Sequence, residues 1–144
     1  MPSWDEYIDN LIAQSIDKNG YSHIHKGCIL GIDGGKQWTT GNHANALNLS
    51  EDEATNIAKC FKENAFPEFI ESGVVVEGCK YIFIKEEEKT VCAIKRGTGK
   101  LTLHSSKTAV VIAYTYIPEN GTYILGIPNR AVHNISKHLE SVNM

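Results

Sequence analysis

Residues 74–117 read VVVEGCKYIFIKEEEKTVCAIKRGTGKLTLHSSKTAVVIAYTYI, and this stretch decides the fold. Short runs rich in Val, Ile, Tyr and Thr alternate with tight turns at Glu77-Gly78, Glu86 to Lys89 and Arg96 to Gly99. Connections this short leave no room for a crossover helix, so successive strands must pair antiparallel. Upstream, Lys26 to Ile32 reads as a buried strand. Asp33-Gly34-Gly35 is a turn needing positive φ, and Lys36 to Thr40 is expected to return as a second strand.

Helices flank the strands. Ser3 and Glu6 have capping-box spacing and open a helix through Ala13. It carries two apolar stripes, Ile8 with Ile12, and Trp4 with Tyr7 and Leu11. Either both stripes are buried, or Ile8 and Ile12 anchor the helix while Trp4 and Tyr7 stay open to a proline-rich ligand. Ser50 and Glu53 form a second capping box, opening a helix to about Lys62 with Ala54, Ile57, Ala58 and Phe61 as its apolar face. Pro67 breaks the segment that follows. Thr122 to Ile127 suggests one more short strand. A last helix is expected from Asn129 or Arg130 to about Asn143, with Val132, Ile135, Leu139 and Val142 as its stripe. The class is α+β: a central antiparallel sheet of about six to seven strands, in one domain over residues 1–144.

Totals narrow the function. Of the 144 residues, 22% are charged and 42% hydrophobic, ordinary globular values. Residues 1–72 hold 5 basic and 11 acidic side chains, and residues 73–144 hold 9 and 6. A basic half this modest argues against nucleic acid but suits an acidic protein or an anionic lipid head group. Lys95, Arg96 and Lys100 flank one hairpin tip, with Lys80 and Lys85 on an adjacent strand. They read either as a lysine-protected sheet edge or as a contact surface. No run is apolar enough to span a membrane and no secretory signal leads the chain, so a cytoplasmic location is expected. Cys28, Cys60, Cys79 and Cys92 lack C-x-x-C spacing and read as buried thiols. The six histidines are scattered, no nucleophile–base pattern stands out, and neither glycine loop precedes a helix that could bind phosphate. Neither an enzyme, a metal nor a cofactor is indicated.

These motifs together resemble one family. Ser3-Trp4-x-x-Tyr7-Ile8-Asp9, Gly31-x-Asp33-Gly34-x-x-x-Trp38, Gly78-Cys79-Lys80-Tyr81, Lys95-Arg96-Gly97-Thr98-Gly99, Lys107 to Val111 and His138-Leu139 occur in the order and spacing of profilins. The resemblance implies that the terminal helices share one sheet face and the middle helices the other. It also implies a polyproline groove from Trp4, Tyr7, Trp38, His138, Leu139 and Met144, the last where the family commonly has an aromatic. An actin-monomer surface would use Lys80, Phe83, Lys85, Lys95, Arg96, Asn129 and Arg130, and a phosphoinositide site Lys95, Arg96 and Lys100. Residues 15–26 and 118–128 run longer than is typical of the family. The expected role is a cytoskeletal module that binds monomeric actin, promotes its nucleotide exchange, regulates its assembly and docks proline-rich proteins. The alternative is a small-molecule or lipid-sensing module on the same fold, without actin.

Overall fold

The computed structural model describes residues 4–40, 43–95, 97–116 and 126–141, the side chains of 126–129 excepted. In chain order the elements are α1 (Glu6–Gln14), β1 (Lys26–Gly31), α2 (Glu51–Lys62), α3 (Pro67–Ser72), β2 (Val74–Val76), β3 (Cys79–Glu87), β4 (Thr90–Lys95), β5 (Gly99–Ser105), β6 (Ala109–Tyr116) and α4 (Gly126–Ser141). The strands form one sheet in the order β1-β6-β5-β4-β3-β2. Every pairing is antiparallel, as the short connections require.

The sheet has an apolar layer on each face. Cys28, Leu30, Leu101, Leu103, Val110 and Ile112 pack beneath Ile57, Phe61 and Phe69 of α2 and α3. Ile29, Val111 and Ala113 point the other way, against Leu11 of α1 and Val132, Ile135 and Leu139 of α4. Alternation along each strand supplies both layers, which is why β6 reads as an unbroken apolar run. The terminal helices therefore share one face and the middle helices the other.

Local signals behave as their chemistry demands. Ser50 Oγ accepts the Glu53 N–H and Glu53 accepts the Ser50 N–H, completing the second capping box. Glu53 also takes the N–H groups of Glu77 (3.0 Å) and Gly78 (2.7 Å), tying α2 to the β2–β3 turn. Glu53→Ala thus removes a charged acceptor from three backbone donors. It is expected to cost about 2 kcal/mol, more than Ser50→Ala at about 1, measured by urea unfolding. Gly34 and Gly35 adopt φ of 83° and 78°, the left-handed turn expected after β1.

Several sequence expectations are corrected. Lys36 to Thr40 forms only an isolated bridge between Leu30 and Gln37, leaving six strands among the described residues. The Gln37 side chain donates to the Leu47 carbonyl (2.9 Å) and accepts the Leu49 N–H (3.2 Å), so this segment serves the following loop instead of a ladder. Helix α4 begins at Gly126, upstream of the expected Asn129. Pro128 sits in its first turn, where a missing N–H costs nothing. Residues 122–125 lie outside the described residues, as do Ser3 and the last expected turn of α4 at Val142 and Asn143. Asp5 occupies the cap position of α1 without capping it, because its carboxylate bonds Thr40 instead. In α1 the buried pair is Ile8 and Leu11, while Ile12 is half-buried.

Candidate functional site

Four rings stand in a row where the two ends of the chain meet. Trp38 and Trp4 have centroids 4.7 Å apart, Trp4 and Tyr7 5.3 Å, and Tyr7 and His138 5.9 Å. Trp4, Tyr7 and Trp38 are half-buried and His138 is exposed. Each ring of the row therefore keeps part of its surface accessible while packing on the core, so neither stripe is wholly buried nor wholly open. Leu139 is corrected: it is fully buried beneath the row and supports it from below. Met144 lies outside the described residues.

Sequence reasoning missed what fixes these rings. Asp5 accepts the Thr40 N–H at 2.7 Å, and the Thr40 hydroxyl bonds the same carboxyl, holding it below the usual carboxylate range. One turn on, Asp9 Oδ1 and His43 Nε2 lie 2.8 Å apart. The loop after Trp38 is thereby clipped along α1. At the other end Gln14 accepts from Asn134 (3.0 Å), joining α1 to α4. These partners are 34 to 120 residues apart in sequence, so no local pattern could announce them. Gly31 lies directly under Trp38: a Cβ there would sit 2.8 Å from the indole Nε1. Gly31→Ala is expected to displace the indole and weaken proline-decamer binding roughly tenfold, about 1.4 kcal/mol. Titration of tryptophan emission would read the change.

The second surface lies on the uncovered part of the same sheet face. Ile82 pairs with Ile94 and Lys85 with Cys92, so a bulge at Ile84 returns Lys85 to the side of Lys80 and Ile82. Lys85, Thr90 and Cys92 line a hollow of about 460 Å³ with Arg130 and His133 of α4. Glu87 and Glu88 stand at its rim, the former 3.6 Å from Lys85. Beside it Ile82 is 65% exposed and Lys80 is exposed. Thr90 and His133 were missed, although His133 follows Arg130 by one helical turn.

Other predicted residues do not join this surface. Phe83 alternates to the opposite face and stacks on Phe69 at 6.5 Å, so it is a core side chain. Lys95 also alternates away from Ile94, towards the α2 side, and is half-buried. Lys100 is corrected most sharply: it is 2% exposed and its Nζ has no hydrogen-bond partner among the described residues. Burial pulls its ammonium below the usual lysine range, and Lys85 nearby pushes the same way. A lysine so enclosed cannot face a lipid head group. Arg96 lies outside the described residues, as does the Asn129 side chain.

Cys28 and Cys60 are buried thiols, and His23 and His25 have structural partners. Burial pushes the Cys28 thiol up, and Cys60, whose S–H bonds Glu68 (3.4 Å), is pushed up to about 12. His23 lies 2.8 Å from Asp17, and His25 accepts the Tyr116 N–H. No helix among the described residues is long and apolar enough to cross a membrane.

Fold and rings together define a small α+β domain that displays an aromatic surface on its paired terminal helices. The profilin family model matches residues 2–144. The profilin of Heliocidaris crassispina is 53% identical over 143 residues and that of Clypeaster japonicus 51%, each match covering 99% of both chains. This chain belongs to the profilin family. Among solved structures, Schizosaccharomyces pombe profilin aligns with a TM-score of 0.75 at 21% identity, over 99% of this chain and 100% of that one. Mouse profilin IIa in complex with a double repeat from the FH1 domain of mDia1 gives 0.69 at 16%, over 99% and 100%. A LokiProfilin2/rabbit actin complex gives 0.62 at 17%, over 96% of each chain.

Proposed function

We propose that this protein binds monomeric actin, regulates its nucleotide exchange and assembly, and docks proline-rich segments on the Trp38–Trp4–Tyr7–His138 row. The observation that carries the reading is the continuity of those rings at spacings of 4.7 to 5.9 Å, held partly open by clips from the loop after Trp38. Polyproline II exposes carbonyls that its own backbone leaves unbonded, and its ridges are rigid before binding. Flat rings carrying an indole N–H and a phenol O–H match both features. Two related structures, one in complex with a double repeat from an FH1 domain and the other with actin, support both partners.

For actin, the proposed surface is Lys80, Ile82, Lys85 and Arg130 around the hollow under α4. An exposed isoleucine on the same strand face as two lysines offers an apolar centre with charged neighbours, suited to an acidic partner. Both surfaces share one sheet face but use different edges of it, so actin and a proline-rich ligand could be held together. The test is an actin assembly assay alongside a tryptophan-emission titration with a proline decamer. The proposal requires slowed spontaneous assembly and a saturable emission change. Neither effect appearing would leave only the fold. The sensing alternative has less support, because both sheet faces are filled by apolar side chains.

A further inference from the structure

We infer that Lys100 is a carbon dioxide acceptor: its side-chain nitrogen becomes a carbamate whose oxygens are held by the hydroxyls of Thr102 and Thr115. The inference goes beyond the actin and proline-rich reading, and its test needs neither partner. Three buried polar groups carry it. Lys100 is 2% exposed, Thr102 1% and Thr115 8%, and among the described residues nothing bonds the Lys100 Nζ or either hydroxyl. Buried polar atoms are nearly always paired, so three unpartnered ones in one place call for a common explanation.

Strand register sets the three side by side. Lys100 lies directly across from Thr115 of β6, and Thr102 follows Lys100 by two residues, about 7 Å along the same face of β5. In that next row Thr102 faces Cys92 of β4, and Cys92 faces Lys85 of β3. Ala113, the partner of Thr102 on β6, packs in the layer beneath α1 and α4, so both rows belong to that face. Cys92 and Lys85 also line the hollow that Arg130 of α4 overhangs.

Carbamate chemistry requires an unprotonated amine. Burial holds the Lys100 ammonium below the usual lysine range; Cys92 of β4 pulls against this and Lys85 of β3 pushes with it, while β6 offers the uncharged Thr115. The neutral amine is the nucleophile. Its lone pair adds to the carbon of carbon dioxide, a C–N bond forms, and one C=O π bond opens to leave a carboxylate. The nitrogen then gives one proton to solvent, so amine plus carbon dioxide yields carbamate plus a proton, with no oxidant or reductant. Size and polarity select this reagent, because a small, linear, uncharged molecule can pass a packed layer that turns back aldehydes and anions. The product suits the site better than the ammonium does. A carbamate presents two acceptor oxygens to the two hydroxyl donors. Lys85, which disfavours a cation at Lys100, favours an anion there, and Arg130 adds to the same effect.

Carbon NMR of the full chain equilibrated with isotope-labelled carbon dioxide tests this directly. The expected result is a saturable carbamate resonance that vanishes in Lys100→Met. A Thr102→Val, Thr115→Val double variant should need at least roughly tenfold more carbon dioxide for half-saturation. At fixed carbon dioxide pressure the occupancy should rise with pH, since the reaction consumes the neutral amine and releases a proton. It should do so well below about pH 10.4, where exposed lysines lose theirs. A resonance unchanged in Lys100→Met belongs to the terminal amino group and overturns the assignment. No carbamate resonance, or an unaltered half-saturation in the threonine double variant, overturns it equally. Lys100→Met should fold, because it replaces a buried amine by an apolar chain of similar length. Should it not, a crystal of the unaltered protein equilibrated with carbon dioxide gives the same answer. Planar density joined to the Lys100 Nζ supports the carbamate, and a bare lysine excludes it.

Discussion

Trp4→Ala is expected to abolish retention on a polyproline column and to weaken proline-decamer binding by at least roughly 30-fold, about 2 kcal/mol. Trp4 is one of the two inner rings of the row and has the shorter spacings, to Trp38 at 4.7 Å and to Tyr7 at 5.3 Å. Truncating it divides the row into separate pieces and leaves a trough where the ligand should meet a face. Central aromatic anchors commonly carry a disproportionate share of binding energy, and rim contacts little. His138→Ala, at the exposed end, should therefore cost only a few-fold. The fold should survive Trp4→Ala, because Ile8 and Leu11 hold α1 down while Trp4 is only half-buried. Trp38 remains as the emission reporter. Full retention of the variant on the column would sink the groove assignment.

The second large effect is expected from reversing charge on the other surface. Lys85→Glu combined with Arg130→Glu should weaken actin-monomer binding roughly 100-fold, about 2.7 kcal/mol, and remove most of its salt dependence. The two cations come from different elements yet line one hollow. An acidic partner would meet two like charges in place of two opposite ones, slowing encounter as well as destabilising the complex. Lys85 is partly exposed and its carboxylate neighbour Glu87 lies 3.6 Å away, so stability should change little. Phe83→Ala provides the contrast. It should destabilise the fold through its lost packing on Phe69, with no specific effect on actin. Monomer binding by the double variant equal to that of the unaltered chain, in a sedimentation or assembly assay, would show that the surface lies elsewhere.

Much of the architecture was legible because it rests on local chemistry. The Ser50–Glu53 box, the glycine turn after β1 and the minimal links between strands each act within a few residues, and each appears as read. The site was legible in part. Spacing put Trp4 and Tyr7 on one stripe, but the same stripe contained Leu11, which is buried. The boundary between open and covered falls within the stripe, where α4 comes to rest on α1. Lys80 and Lys85 are five apart and in a regular strand would point to opposite faces. The bulge at Ile84 reunites them, and nothing in the run IFIKEEE announces it.

By itself, the sequence determined most of the elements, the antiparallel pairing from β2 to β6 and the family, because periodicity, turn chemistry and motif spacing are properties of neighbouring residues. Only the tertiary structure decided which side chains stay uncovered. Lys100 and Lys85 look alike in sequence, yet one is enclosed and the other lines an open hollow. Burial depends on segments that arrive from far along the chain, and exposure in turn fixes whether a ring or an ammonium can meet a ligand.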